Sequence, residues 1–130
     1  MSNQEILTTN PDQVEIRHEL KQFTGTEYYY KYLVNILLTD GAKFLAEKYN
    51  CYWLFDIIAS LKYVPRCKNE NFIVCKLNLD KTGATESATF LAEDGNGNIL
   101  FSQYIEYTDF KIDSITLFFY DNVILLPSEY

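Results

Sequence analysis

The stretch FIVCKLNLD, residues 72–80, decides the fold class. Ile73, Cys75, Leu77 and Leu79 alternate with Val74, Lys76, Asn78 and Asp80, the period of two expected of a strand with one face on a core and one in water. Downstream, SATFLAE (87–93), ILFSQYIEY (99–107), SITLFFY (114–120) and VILLP (123–127) read as four more strands. DGNGN at 94–98 supplies glycines for a hairpin loop, and Asp121-Asn122 reads as a tight turn between the last two strands. Connections this short suit an antiparallel meander.

Upstream the period becomes 3.6. Asp12 and Glu15 resemble a capping box before Ile16, Leu20 and Phe23, although Val14, Ile16, His18 and Leu20 also alternate. A second capping box, Thr24 to Glu27, opens a helix carrying Tyr30, Leu33, Val34, Leu37 and Leu38. Thr39-Asp40-Gly41 breaks it, Asp40 caps a helix with Ala42, Leu45, Ala46 and Tyr49 on one face, and Asn50 ends that helix. Trp53, Leu54, Ile57, Ile58 and Leu61 then form an apolar stripe, with Trp53 at the centre of the core and Tyr52, Asp56, Ser60 and Tyr63 opposite; Pro65 stops the helix. The expected architecture is an α+β domain over 12–130, its N-terminal helices packed on one face of an antiparallel β-meander of four to five strands, after a polar lead-in at 1–11.

Composition bounds the function. A chain of 130 residues, 48% of them hydrophobic, is large enough for one core. Its net charge of −7 is uneven: residues 1–71 hold eight Lys/Arg against nine Asp/Glu, a net −1, while residues 72–130 hold three against nine, a net −6. That sign is wrong for direct binding to nucleic acid or an anionic membrane and suits a protein partner with a basic surface. The opening MSNQEILTTNPDQVEIRHEL lacks the basic start and apolar core of a signal peptide, and no apolar run approaches the roughly 18 residues of a membrane span, so a cytoplasmic protein is expected. Three cysteines, an odd number, fit reduced thiols.

The residue types that chemistry requires are scarce. His18 is the only histidine available to pair with Cys51, Cys67 or Cys75, and three cysteines with one histidine lack the paired spacing of a zinc site. Asp94, Asn96 and Asn98 match the start of a calcium loop, but Ile99 and Ile105 stand where its glycine and glutamate belong. Phosphate-binding glycine loops, dinucleotide fingerprints and serine elbows are absent from the sequence. Asp56, Asp109 and Asp113 are the carboxylates left for acid–base work, with Asp109 read first as a turn former or amide cap. No catalytic group, metal or cofactor is assigned.

Five segments, FTGTEYYY (23–30), TDGAKFLAE (39–47), YWLFDIIAS (52–60), YTDF (107–110) and LLPSEY (125–130), in this order resemble a family of small uncharacterised proteins of bacterial chromosomes and mobile elements. The resemblance implies one domain of bacterial or phage type and no catalytic residue. Together with the charge split it gives the leading expectation: a non-catalytic interaction module, an inhibitor or accessory factor of a mobile element. It would act on a host protein through an acidic, tyrosine-rich surface including Tyr52, Asp56, Tyr104, Glu106 and Asp109. Self-association through the strand ending in Val123 to Leu126 is compatible with that reading and with its alternative. The alternative is a small-molecule binder or small enzyme with an aromatic pocket between helices and sheet.

Overall fold

A computed structural model describes residues 13–130; the lead-in at 1–11 and the Asp12 cap lie outside them. A first helix, α1, covers 13–21. It is followed by strands β1 (Tyr29–Leu33) and β2 (Ile36–Thr39), helices α2 (Asp40–Lys48) and α3 (Tyr52–Ser60), and a 3-10 turn (Leu61–Tyr63). Strands β3 (Phe72–Asp80), β4 (Ser87–Glu93), β5 (Ile99–Ile105), β6 (Ser114–Tyr120) and β7 (Val123–Leu125) complete the sheet before a last 3-10 turn at Pro127–Glu129.

The expected fold class needs two corrections. The sheet has seven strands in the order β1-β2-β7-β6-β3-β4-β5, not four to five in an antiparallel meander with all the N-terminal segments as helices on its face. It is also mixed, because β2 and β7 run parallel, with Leu37 beside Val123 and Leu38 beside Ile124. β3 is an interior strand, pairing β4 on one side and β6 on the other, so the chain passes from β5 back across the sheet instead of stepping to its neighbour.

The helix expected over 24–38 is a hairpin. Its registers Tyr30↔Leu38 and Leu33↔Ile36 leave Val34 and Asn35 as a two-residue loop with Asn35 left-handed (φ 65°). Ile36 and Leu38 point into the core while Leu37 is exposed, a period of two that the spacing 30, 33, 34, 37, 38 also mimics as a helical face. A register shift between Lys31 and Leu33 disguises the alternation further. Consecutive aromatic residues favour the pleated form.

Across β3, Cys75 pairs Ala92 and Leu117, and Leu77 pairs Phe90 and Ile115; this face meets Leu54, Phe55 and Ile58 of α3 and Leu45 of α2 in one buried cluster. Each fully buried Phe or Leu there contributes about 1.5–3 kcal/mol. The buried stripe of α3 is Leu54, Phe55, Ile58 and Ala59, rotated by one residue from the expected one. Trp53 is therefore half-buried, seated edge-to-face on Phe110 at 5.7 Å rather than at the centre of the core. The opposite sheet face carries a smaller aromatic group, Phe72, Phe118 and Tyr120, over which Tyr130 packs at 5.3–5.8 Å.

Turn chemistry fixes the connections. Asp121 and Asn122 are both left-handed (φ 51° and 65°), as a two-residue hairpin loop requires. Asp94 Oδ1 accepts from the amides of Asn96 (2.8 Å) and Asn98 (3.2 Å), so its carboxylate builds the 94–98 loop. Asn50 (φ 51°) ends α2, and Cys51 N–H bonds Ala46 O at 3.0 Å in the manner of a Schellman ending. β7 is too short to cover all of β6, and α1 is tied to both ends of the gap: Gln13 bonds Lys111 O and Asp113 N, and Ser128 Oγ donates to Leu20 O. A helix placed there shields an open strand edge.

The N-terminus of α2 is the tightest junction. Its cap is Thr39, not Asp40: Thr39 Oγ1 accepts from Ala42 N (3.2 Å) and donates to Glu129 Oε1 (2.6 Å). The other Glu129 oxygen accepts from Gly41 N (2.9 Å), and Oε1 also accepts from Leu126 N (2.9 Å). A Cβ on Gly41 would lie 2.6 Å from Leu126 Cδ1 and 2.8 Å from Glu129 Oε1, so any larger residue would displace these two side chains of the C-terminal turn. Asp40 instead holds the 24–28 loop, accepting from Glu27 N while its own N–H donates to Thr26 Oγ1, both at 2.8 Å. Within the segment of the expected capping box, the Glu27 amide and the Thr26 hydroxyl thus serve a helix more than ten residues further on.

Gly41→Ala is expected to lower unfolding free energy by about 1–3 kcal/mol through overpacking. Glu129→Ala is expected to lower it by a similar ~1–3 kcal/mol, by leaving the Thr39 hydroxyl and two amides without their acceptor. Urea unfolding followed by circular dichroism measures both; unchanged midpoints would mean that the C-terminal turn does not secure α2.

Candidate functional site

The five residues expected on an interaction surface fall into separate places. Tyr52 and Asp56 lie on α3 beside β1, at one edge of the sheet. Tyr32 stacks on Tyr52 with ring centroids 5.6 Å apart, and its phenol donates to the Asp56 carboxylate and to Tyr52 O (3.2 Å). Burial, and then the Asp56 carboxylate, push the Tyr32 phenol well above its ordinary range, so it stays a donor at any physiological pH. This group ties the β1–β2 hairpin to α3. Asp56 is exposed yet already engaged.

Tyr104 lies on the opposite edge strand, and Glu106 and Asp109 follow it in the chain. Tyr104 is exposed on β5, on the face turned away from α3, and Glu106 and Asp109 follow in the segment that crosses to β6. That segment is extended and well anchored: Thr108, Phe110 and Ile112 are buried in alternation, Thr108 N–H bonds Glu86 O at 3.0 Å, and Thr108 Oγ1 accepts from Phe110 N at 3.1 Å. The amide-capping role expected of Asp109 therefore belongs to Thr108. Tyr107 and Asp109 point outward between these anchors, Tyr107 being 70% exposed.

Trp53, Ile105, Tyr107, Thr108 and Asp109 line a shallow cleft of about 220 Å³. Sequence reasoning placed Trp53 in the core and passed over Tyr107. The alternation of Thr108, Phe110 and Ile112 was the signal that leaves 107 and 109 facing out.

Two further depressions differ in character. A cleft of about 660 Å³ at the end of the sheet is lined by charged side chains including Glu19, Lys48, Lys81 and Lys111. Several are already paired there, Lys48 with Glu19, Tyr49 Oη with Glu19 at 2.8 Å and Lys81 with Asp113 at 2.8 Å. Lys48 and Tyr49 hold the Glu19 carboxyl below its ordinary range, Lys48 having the larger influence. A third, about 570 Å³ and mostly apolar, runs between α1 and β6. The space between α3 and the sheet, by contrast, is filled by Leu54, Phe55, Ile58 and Phe90, all essentially inaccessible.

All three cysteines are free and buried. Burial pushes the Cys51 thiol up to about 12 and raises Cys67 and Cys75 as well, the reverse of what an activated nucleophile needs. Among the described residues no group of three or more His, Cys, Asp or Glu is arranged to hold a metal ion. Nor is any helix among them long and apolar enough to cross a membrane.

Fold and surface together define a small α+β protein with a filled interior and an exposed segment of tyrosines and carboxylates beside its one tryptophan. Residues 14–130 match the model of DUF6876, a family of unknown function, and the chain belongs to that family. Comparison with curated proteins and with solved structures gives no match.

Native protein at pH 8 is expected to react negligibly with Ellman's reagent, since burial shields and raises all three thiols, and Cys51 near 12 is ionised there in only about one molecule in ten thousand. All three thiols are expected to react once guanidinium unfolds the chain. Fast native reaction of one equivalent would restore a nucleophilic cysteine to consideration.

Proposed function

We propose that this protein is a non-catalytic interaction module that binds a partner protein carrying a basic surface. The observation that carries the reading is the segment 104–109, where Tyr104, Glu106, Tyr107 and Asp109 are exposed on a backbone fixed by buried Thr108 and Phe110. Exposed tyrosines on a rigid support give a protein partner large contact area at low entropic cost. Carboxylates among them, in a half-chain with net −6, attract a basic partner and speed encounter.

The bacterial and mobile-element setting implied by the five segments makes a host protein that handles nucleic acid the natural target, met in the cytoplasm. An acidic surface would occupy the basic groove of such a protein in place of its nucleic acid. Tyr52 and Asp56 act in this reading as the support of the β1–β2 hairpin, and Tyr104, Glu106 and Asp109 as the contact. The rival, a small-molecule pocket between helices and sheet, is disfavoured beneath α3 by Phe55 and Phe90, which fill the space there.

Capture of tagged protein from nuclease-treated lysate of its native host tests the reading. A stoichiometric protein partner is expected, retained by wild type and lost by the Glu106→Lys, Asp109→Lys double variant. Purified, the pair is expected to bind about tenfold or more weakly between low and physiological salt, as exposed charges are screened over about 8–10 Å. Affinity indifferent to salt and to both reversals would sink the proposal.

A further inference from the structure

We infer that the cleft between Trp53 and Tyr107 receives an arginine side chain of the partner protein, with Asp109 as its counter-charge. The inference rests on the interaction reading above and specifies the chemistry at its centre. Four properties of the cleft converge on a guanidinium. Its volume of about 220 Å³ suits one side chain and falls short of the roughly 300–1,000 Å³ of a small-molecule site. Two of its walls are aromatic, Trp53 and Tyr107, and ring faces attract a cation. Asp109 lines it with an exposed carboxylate, and the structural work of that turn is done by Thr108. Lys111, the nearest cation in sequence, lines the larger cleft instead.

Arginine fits this set better than lysine. A planar guanidinium can stack on an indole or phenol while its fork of N–H donors meets a carboxylate, whereas an ammonium is a strongly hydrated point charge. The site is also preformed. Trp53 is braced edge-to-face by buried Phe110 (5.7 Å), and Thr108 is bonded to Glu86 O (3.0 Å) and to Phe110 N (3.1 Å), so Trp53 and the backbone that carries Tyr107 are already in place. Glu106, exposed three residues before Asp109, adds charge of the same sign near the cleft.

Trp53 is the only tryptophan in the chain, so its fluorescence and its indole N–H resonance report on this cleft and on no other place. The probe is a blocked pentapeptide Gly-Gly-Arg-Gly-Gly, titrated into the intact protein at low salt, with the lysine and norleucine peptides of the same length as controls. The arginine peptide is expected to shift the indole signal saturably, with a dissociation constant of about 1–10 mM for one isolated contact. Amide shifts should cluster at 105–109. Asp109→Asn is expected to weaken binding by about fivefold, and Tyr107→Ala to weaken it by a similar factor of about five; both positions are exposed, and circular dichroism checks that each variant is folded.

No saturable response, an equal response to norleucine or lysine, or unchanged affinity in Asp109→Asn would overturn the inference. The interaction reading fails separately. If the captured partner is lost on charge reversal while the peptide leaves Trp53 untouched, the surface is right and the arginine pocket wrong.

Discussion

A single carboxylate, that of Glu129, closes the fold on itself. It accepts from the Thr39 hydroxyl at the end of β2, from the Gly41 amide at the start of α2 and from the Leu126 amide just past β7. β2 and β7 are parallel neighbours more than eighty residues apart in sequence, and short strands so distant need both ends defined before they can pair. Glu129 supplies that definition where both strands finish. Anionic charge against the first turn of α2 is also where the helix dipole favours it. The close approach is possible because Gly41 has no side chain.

From this junction the remaining layers follow. Asp40, held in place by α2, gathers the 26–28 loop and so aims β1. Tyr32 on β1 then reaches Asp56 and Tyr52 on α3, fixing the edge hairpin to the helix layer. α3 in turn carries Trp53 to Phe110, at the far side of the sheet. Segments at 26, 40, 56 and 110 are thereby linked in series through directed contacts, beside the non-directional packing of Phe55, Phe90, Leu77 and Leu117. Burial supplies the larger energy, while the polar junctions select one arrangement among those that burial would allow.

This division explains what the sequence disclosed. Each strand from 72 to 125 is legible because alternation is local, and Asp121-Asn122 and the 94–98 loop announce their turns by residue type. The hairpin at 29–39 is not, because Tyr30, Leu33, Val34, Leu37 and Leu38 satisfy a helical period and a bulge breaks the competing one. Strand order is illegible for a different reason. Nothing in FIVCKLNLD distinguishes a central strand from an edge, and the parallel pair depends on Glu129 meeting Thr39, a contact without local signature. The same limit misplaced Trp53. A stripe of 53, 54, 57, 58 and 61 and one of 54, 55, 58 and 59 differ by one residue, and only the position of Phe110 chooses between them.

The segments FTGTEYYY, TDGAKFLAE, YWLFDIIAS, YTDF and LLPSEY meet at two places with different physical character. FTGTE, TDG and LLPSEY converge on the α2 junction, where Thr39, Gly41 and Leu126 are buried and the polar groups of Thr39, Asp40 and Glu129 are bonded to one another or to backbone amides. Every group there has a structural task. YWLFDIIAS and YTDF converge on Trp53 and Phe110, where Phe55, Thr108 and Phe110 are likewise buried. Tyr107 and Asp109 are not. A 70% exposed tyrosine adds little to folding stability, and an exposed carboxylate, one of the nine acids that give its half-chain a net −6, adds repulsion. Side chains that the fold does not use, held outward on a backbone that it does, are what the proposed interaction draws on.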